Sequence, residues 1–269
     1  MNKKTILITG ATEGLGKLTA IDLANRFKDS ILLVHGRNKE KLDAVWQEIT
    51  LKTGHRHIET WQADFSSLKE VRNMAEEILK KHSSLDILVN NAGAGFAAPR
   101  LGKDGLETRM TVNFLALYLL TQLLLPALFQ ADSARIVNVA SAGQSAIDFQ
   151  DMMMEKNFDG VTAYTRSKLA VILFTFALAE TLKEKTITVN CLHPGSYLDT
   201  GMVREAGISP MGTAQSGADA IVYLATAPQL EHITGKYFNV KKEAQAHAQA
   251  YDPNARKKLN QFAQRLTGI

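Results

Sequence analysis

Short, nearly continuous apolar runs alternate along this chain with longer stretches in which apolar residues recur every three or four positions. The short runs, Thr5–Thr9, Ser30–His35, His57–Gln62, Asp86–Asn90, Ala134–Ala140 and Thr186–His193, read as strands, with a seventh expected near Tyr237. Because they do not alternate apolar with polar, each strand is expected to be covered on both faces, as in a parallel sheet. Leu15–Phe27, Lys39–Thr53, Leu68–His82 and Thr162–Leu182 carry the helical period between them. The alternation predicts an α/β fold, a doubly wound parallel sheet with helices on both faces.

No linker or low-complexity stretch divides the 269 residues, so one domain over 1–269 is expected. The polar segment Gln144–Gly160, with Met152-Met153-Met154, breaks the rhythm and predicts a loop over a pocket. Together with 196–210 it is the expected substrate-loop region. Asp252-Pro253 predicts a capped helix start, followed by a basic face of Arg256, Lys257, Lys258 and Arg265. Phe114–Phe129 is the longest apolar stretch, but Tyr118, Thr121, Gln122 and Pro126 interrupt it, and a membrane span needs roughly 20 residues. It reads as a buried helix, and no membrane span is expected.

Hydrophobic residues at 45% and charged residues at 22% suit a globular core. The net charge of +4 is spread out, without the dense basic run that nucleic acid would call for. The single Cys191 excludes an intrachain disulfide and fits a reducing compartment. Met1-Asn2-Lys3-Lys4 leads straight into Ile6-Leu7-Ile8 without a signal-peptide pattern, so a cytoplasmic location is expected. His55 and His57 lack further ligands nearby, and no metal site is expected.

The candidate chemistry begins where the first strand runs into Thr9-Gly10-Ala11-Thr12-Glu13-Gly14-Leu15-Gly16. Glycines there permit a tight strand-to-helix turn and close backbone approach to a pyrophosphate, which the next helix N-terminus attracts. This makes the sheet a candidate Rossmann-type dinucleotide site, with Gly10, Thr12, Glu13, Gly14, Leu15 and Gly16 lining it, although the charge of Glu13 opposes a phosphate. The second strand ends at Gly36-Arg37-Asn38. An acid at that point would favour a free ribose hydroxyl, whereas Arg37 suits a 2′-phosphate, so NADP(H) is expected over NAD(H). Lys17 and Lys41 are secondary phosphate candidates. Further on, Tyr164 and Lys168 stand one helical turn apart on a common face. A phenol of pKa about 10 is a poor acid or base at neutral pH. An adjacent ammonium favours its ionised form, and the pair is then able to exchange a proton with a substrate oxygen.

In that order the parts resemble the short-chain dehydrogenases/reductases over nearly the whole chain. The matching pieces are Thr9-Gly10-x-x-x-Gly14-x-Gly16, Asp64, Asn90-Asn91-Ala92-Gly93, Asn113, Ser141, Tyr164-x-x-x-Lys168 and Pro194-Gly195. Tyr164-Thr165-Arg166-Ser167-Lys168-Leu169-Ala170, Val189–Gly195, Ile147–Asp151 and Gly235–Phe238 look most like the retinol dehydrogenase-like branch, whose members often carry an N-terminal membrane anchor.

The resemblance implies that Tyr164 is the general acid in carbonyl reduction and the base in reverse. Lys168 would lower its pKa and hold the nicotinamide ribose, and Ser141 would bind the substrate oxygen. Asn113 would anchor a water in a proton relay. Asp64 and Phe65 would meet the adenine, and Asn91, Ala92, Gly93, Pro194 and Gly195 would line the cofactor. The family's nicotinamide-contacting Thr usually lies five residues after the Pro, where this chain has Asp199; Thr200 is one further.

The expected function is NADP(H)-dependent interconversion of a carbonyl and an alcohol on a small, largely apolar substrate. The alternatives are a non-catalytic NADP(H)-binding sensor or scaffold, and an epimerase or dehydratase of the family's extended branch. A small-molecule substrate is the expected partner, with Tyr197, Leu198, Met202 and the Met run as its apolar lining. A homodimer or homotetramer is expected to pair through Phe114–Phe129 and Thr162–Leu182.

Overall fold

A computed structural model describes residues 3–269; Met1 and Asn2 of the N-terminal lead-in lie outside them. In chain order the elements are β1 (Thr5–Ile8), α1 (Gly14–Arg26), β2 (Ile31–Gly36), α2 (Lys39–Thr53), β3 (Ile58–Gln62), α3 (Leu68–Lys81) and β4 (Ile87–Asn90). A π-helical turn (Met110–Leu115) then runs into α4 (Ala116–Leu128), followed by β5 (Ala134–Val139), α5 (Gly160–Thr181), β6 (Ile187–His193), α6 (Gly201–Glu205) and α7 (Ala214–Thr226). The chain ends with β7 (Tyr237–Asn239), β8 (Lys242–Glu243) and α8 (Pro253–Thr267).

The sheet order is β3-β2-β1-β4-β5-β6-β7-β8, parallel except for the antiparallel β7–β8 pair. This is an α/β Rossmann-type fold. Successive strand residues point to opposite faces. Ile6 and Ile8 enter one core with residues of α1, α2 and α7, while Leu7 enters the other with α3, α4, α5 and α8. Apolar side chains on both faces explain why the strands read as continuous runs. Strand order reverses between β1 and β4, and the crevice outside their C-terminal ends is where such sheets bind ligands.

The sequence pattern did not signal α7. Its inner face sets Ile221, Val222 and Leu224 beside small residues, including Gly217, where a Cβ would lie 2.4 Å from Leu198 Cδ1 and 2.7 Å from Leu15 Cδ2. The helix expected over Phe114–Phe129 starts earlier, because Glu107 caps it: its carboxylate accepts from the backbone N–H of Arg109 (3.0 Å) and Met110 (2.7 Å). Met110–Leu128 and Gly160–Thr181 are long and apolar enough to cross a membrane, yet both are mostly buried within this protein. Helix α8 lies on the face offered by α4 and α5. Tyr118 Oη donates to Asn260 (3.1 Å), Arg256 pairs with Glu180 (3.2 Å), and Leu259 and Ala263 are buried.

Leu120 on α4 is fully buried, whereas Leu51 on α2 is 86% exposed. Leu120→Ala is expected to lower unfolding free energy by about 2–5 kcal/mol, and Leu51→Ala by less than about 0.5 kcal/mol, as read by urea titration.

Candidate active site

Gly10 (φ 63°) and Gly14 (φ 54°) occupy the left-handed region that glycine alone enters without strain. A Cβ on Gly10 would fall 2.7 Å from Ala92 Cα, and one on Gly16 would fall 2.2 Å from Gly10 O. The turn after β1 therefore closes directly on the segment after β4. Thr9 Oγ1 accepts from the N–H groups of Asn91 (2.9 Å) and Ala92 (3.0 Å). Asn91 Nδ2 donates to the carbonyls of Thr9 (2.9 Å) and Gly10 (3.0 Å). Glu13 caps α1 by position, but its side chain accepts none of the helix N–H groups. It reaches Lys41 instead (2.7 Å). The helix therefore presents an N-terminus to the crevice with no carboxylate capping it, and the glycine turn leaves room for an anion beside it. These residues fit a dinucleotide pyrophosphate.

Gly36 lets the end of β2 approach Thr12, since a Cβ there would lie 2.4 Å from Thr12 Cγ2. Arg37 next to it is exposed, and Asn38 caps α2 by accepting from Lys41 N (2.8 Å). The Asp64 carboxylate accepts from Ser66 N (2.9 Å) and Ser66 Oγ (2.8 Å) and lies 3.4 Å from Lys103 Nζ. Phe65 is buried, its ring stacked on His35 at 4.0 Å. Thr200 caps α6 by position and lies against Gly14, with its Cγ2 3.4 Å from where a Cβ would stand. Asp199 turns away to Arg204 (2.7 Å). Thr200, not Asp199, thus borders the glycine turn. Leu198 is buried against Gly195, Gly212 and Gly217, and Met152 and Met154 are buried in the core, so these three do not line the cleft.

At the far end of the crevice, α5 brings Tyr164 and Lys168 to the end of β5. Lys168 Nζ donates to Val139 O (2.8 Å) and sits 5.8 Å from the Tyr164 ring centroid. Burial lowers the Lys168 pKa to about 8. Burial raises the Tyr164 pKa, and a hydrogen bond with Ser141 partly offsets it. Removal from water is thus the largest influence on the phenol in this arrangement. Ser141 Oγ also accepts from Gly143 N (3.0 Å). Asn113, on the π-helical turn, accepts from Ala94 N (2.7 Å) and donates to Ala94 O (3.1 Å) and Ser167 Oγ (2.8 Å). Beside Asn113, a Cβ on Gly93 would stand 3.3 Å from Asn113 Oδ1 and 3.6 Å from Lys168 Nζ, so the bare backbone gives access to the lysine. Such π-helical insertions recur at functional sites.

Sequence reasoning missed two residues here. Phe96 packs edge-on against Tyr164, with centroids 6.0 Å apart. His35 accepts at Nδ1 from Gly10 N (3.1 Å), so Nε2 carries the proton and donates to Ala63 O (3.0 Å). It ties the glycine turn to β2 and β3. A histidine closing the strand next to a glycine turn was the available signal.

A glycine-turn α/β fold with Ser, Tyr and Lys converging at its crevice defines a nicotinamide-dependent class of oxidoreductase. The short chain dehydrogenase model matches residues 4–209. Retinol dehydrogenase 13 of Mus musculus is 35% identical over 284 residues, covering 99% of this chain and 84% of that protein. Among solved structures, an uncharacterized protein from Mycobacterium paratuberculosis is similar at TM-score 0.80 and 27% identity, covering 99% of this chain and 94% of that one. A short chain dehydrogenase from Escherichia coli CFT073 complexed with NADPH is similar at TM-score 0.70 and 28% identity, covering 90% of this chain and 98% of that one. The chain belongs to the short-chain dehydrogenase/reductase family, in its retinol dehydrogenase-like branch.

His35 gives this site a pH signature. Burial lowers its pKa from 6.5 to about 4. Between those values the unfolded chain binds a proton that the folded chain does not, so stability falls as pH falls through the window. From pH 6.5 to below 4 this contributes a loss of about 3 kcal/mol, which His35→Gln is expected to remove from the acid limb of a denaturation series.

Proposed function

We propose that this protein is an NADP(H)-dependent reductase and dehydrogenase that interconverts a carbonyl and an alcohol on a small, largely apolar substrate. The observation that carries the reading is the convergence of the Ser141 hydroxyl, the Tyr164 phenol and the Lys168 ammonium beside the bare backbone of Gly93. The glycine turn, Thr12, Arg37 and Thr200 would hold the cofactor, whose nicotinamide supplies or accepts the hydride.

Tyr164, kept protonated at neutral pH by its raised pKa, would hand its proton to the substrate oxygen. Ser141 would donate to the same oxygen and steady its developing charge. Lys168 would favour the phenolate left behind and re-supply its proton. Its own pKa of about 8 suits transfer near neutral pH. Phe96 and Met202, which meets Gly95 across the cleft, would give the substrate an apolar wall. The retinol dehydrogenase names of the relatives support including retinal in the substrate panel.

Arg37 is the basis for preferring NADP(H), and the Glu13–Lys41 pair tempers it, because Glu13 occupies an ammonium that would otherwise face a 2′-phosphate. NADPH oxidation followed by absorbance across a panel of aldehydes and ketones tests the activity. Tyr164→Phe is expected to lower kcat by about 10²–10⁴-fold, and turnover at the wild-type rate would refute the assignment. Arg37→Ala is expected to raise the KM for NADPH by roughly 10- to 100-fold and leave that for NADH unchanged, as steady-state kinetics would show.

A further inference from the structure

Outside the proton-transfer centre, the largest fully buried side chain is a charged one. Arg109 is 1% exposed. Its four terminal N–H groups all find acceptors. Nη1 donates to Glu107 Oε1 (2.9 Å) and Pro99 O (3.0 Å), and Nη2 donates to Phe96 O (2.9 Å) and Ala98 O. The Phe158 ring lies 5.2 Å from this guanidinium and 5.3 Å from that of Arg100. Arg100 in turn donates to Met154 O and Glu155 O, each at 3.3 Å. Two irregular segments, around residues 94–101 and 151–160, therefore meet about a pair of arginines.

The arrangement follows from unpaired backbone. The carbonyls of Phe96, Ala98 and Pro99 belong to no helix or sheet, and where they meet the buried guanidinium they take its N–H groups as donors. A guanidinium offers several N–H groups in one rigid plane, so fixing it fixes all three carbonyls together. Glu107 neutralises it and also caps the turn that carries Asn113. One end of this segment reaches the reacting group: Phe96 meets the Tyr164 ring at 6.0 Å and 84°. Gly160, which starts the helix bearing Tyr164, has no room for a Cβ, since one would stand 2.6 Å from Phe96 O.

We propose that Arg109, anchored by Glu107, is a positioning residue that sets the substrate wall by holding Phe96 against Tyr164. The proposal rests on Tyr164 being the reacting proton donor. Arg109→Lys keeps a charge but has three donors on a single nitrogen for the four acceptors that Arg109 serves from two. Tyrosinate absorbance, taken as the difference from the matching Tyr164→Phe protein, isolates the Tyr164 phenol in each background. The other groups facing that phenol, Ser141 and Lys168, stay the same. The Tyr164 titration is expected to move down by about half a pH unit or more as water reaches the loosened ring. In turnover, the carbonyl KM is expected to rise about 10-fold with kcat and NADPH affinity little changed, and Phe96→Ala is expected to reproduce the rise without adding to it.

An unmoved Tyr164 titration, or KM effects of Arg109→Lys and Phe96→Ala that multiply, would overturn the proposal. Should Arg109→Lys fail to fold, Phe96→Ala must show the same titration shift and KM rise, and its failure to do so overturns the proposal equally. A wild-type protein that reduces no carbonyl would defeat the proposed activity, while the Tyr164 titration would still decide the role of Arg109.

Discussion

The backbone of Gly10 meets the backbone of Ala92 with no space for a methyl group between them, and the rest of the site is hung from that contact. Thr9 and Asn91 lock it from the two strand ends, and His35 braces it from β2. Each bond joins elements far apart in sequence, so the turn can take its shape only after β1, β2 and β4 are paired. The glycines are thus a consequence of sheet assembly as much as of cofactor chemistry. Any side chain at Gly10 or Gly16 would part β1 from β4 at the point where the strand order reverses.

Polar groups continue inward from this contact along the sheet. Asn90 Nδ2 donates to Asn138 Oδ1 (2.8 Å) and to Thr121 Oγ1 (3.0 Å), and Asn138 donates to Thr175 (2.9 Å). Buried amides in register on β4 and β5 tie both strands to α4 and α5. Lys168 enters on α5 just above this ladder, and its ammonium costs stability there because Val139 O is one partner where water would supply three. The lowered Lys168 pKa and the raised Tyr164 pKa have the same origin, removal from water. Cys191, pushed up to about 12 by burial in β6, shares the dry setting and is inert as a nucleophile.

Sequence alone made the cofactor half of the molecule legible. The strand boundaries agree with the structure to within a residue or two, because the inner parallel strands, buried on both faces, write themselves as apolar runs, whereas the edge strand β3 leaves Thr60 and Gln62 exposed. Gly10, Gly14 and Gly16 were readable because a tight turn tolerates little else. What failed to read was whatever depends on tertiary contact. The close approach of α7 to Leu15 and Leu198 at Gly217 is one such contact. How far the fold removes Tyr164 from water is not encoded in its spacing from Lys168. Thr200 was ambiguous by one residue until the loop placed it against Gly14.

The substrate half is built on a different principle, which explains its silence in the sequence. Segments 94–101 and 144–159 lie outside the helices and strands, so side chains supply what strands supply elsewhere. Gln249 donates to Ile147 O (3.1 Å) and accepts from Ile147 N (2.7 Å), pairing that residue's backbone as a neighbouring strand would. Arg109 does the same for three carbonyls of a loop wall, those of Phe96, Ala98 and Pro99. Such anchors are single residues at unremarkable positions, and their identity follows from the loop they hold. A scaffold fixed on one side by glycine and backbone, and on the other by side-chain clasps, can change the second without disturbing the first. Glu107 is where the two halves join, since one carboxylate both holds Arg109 and starts the turn that places Asn113.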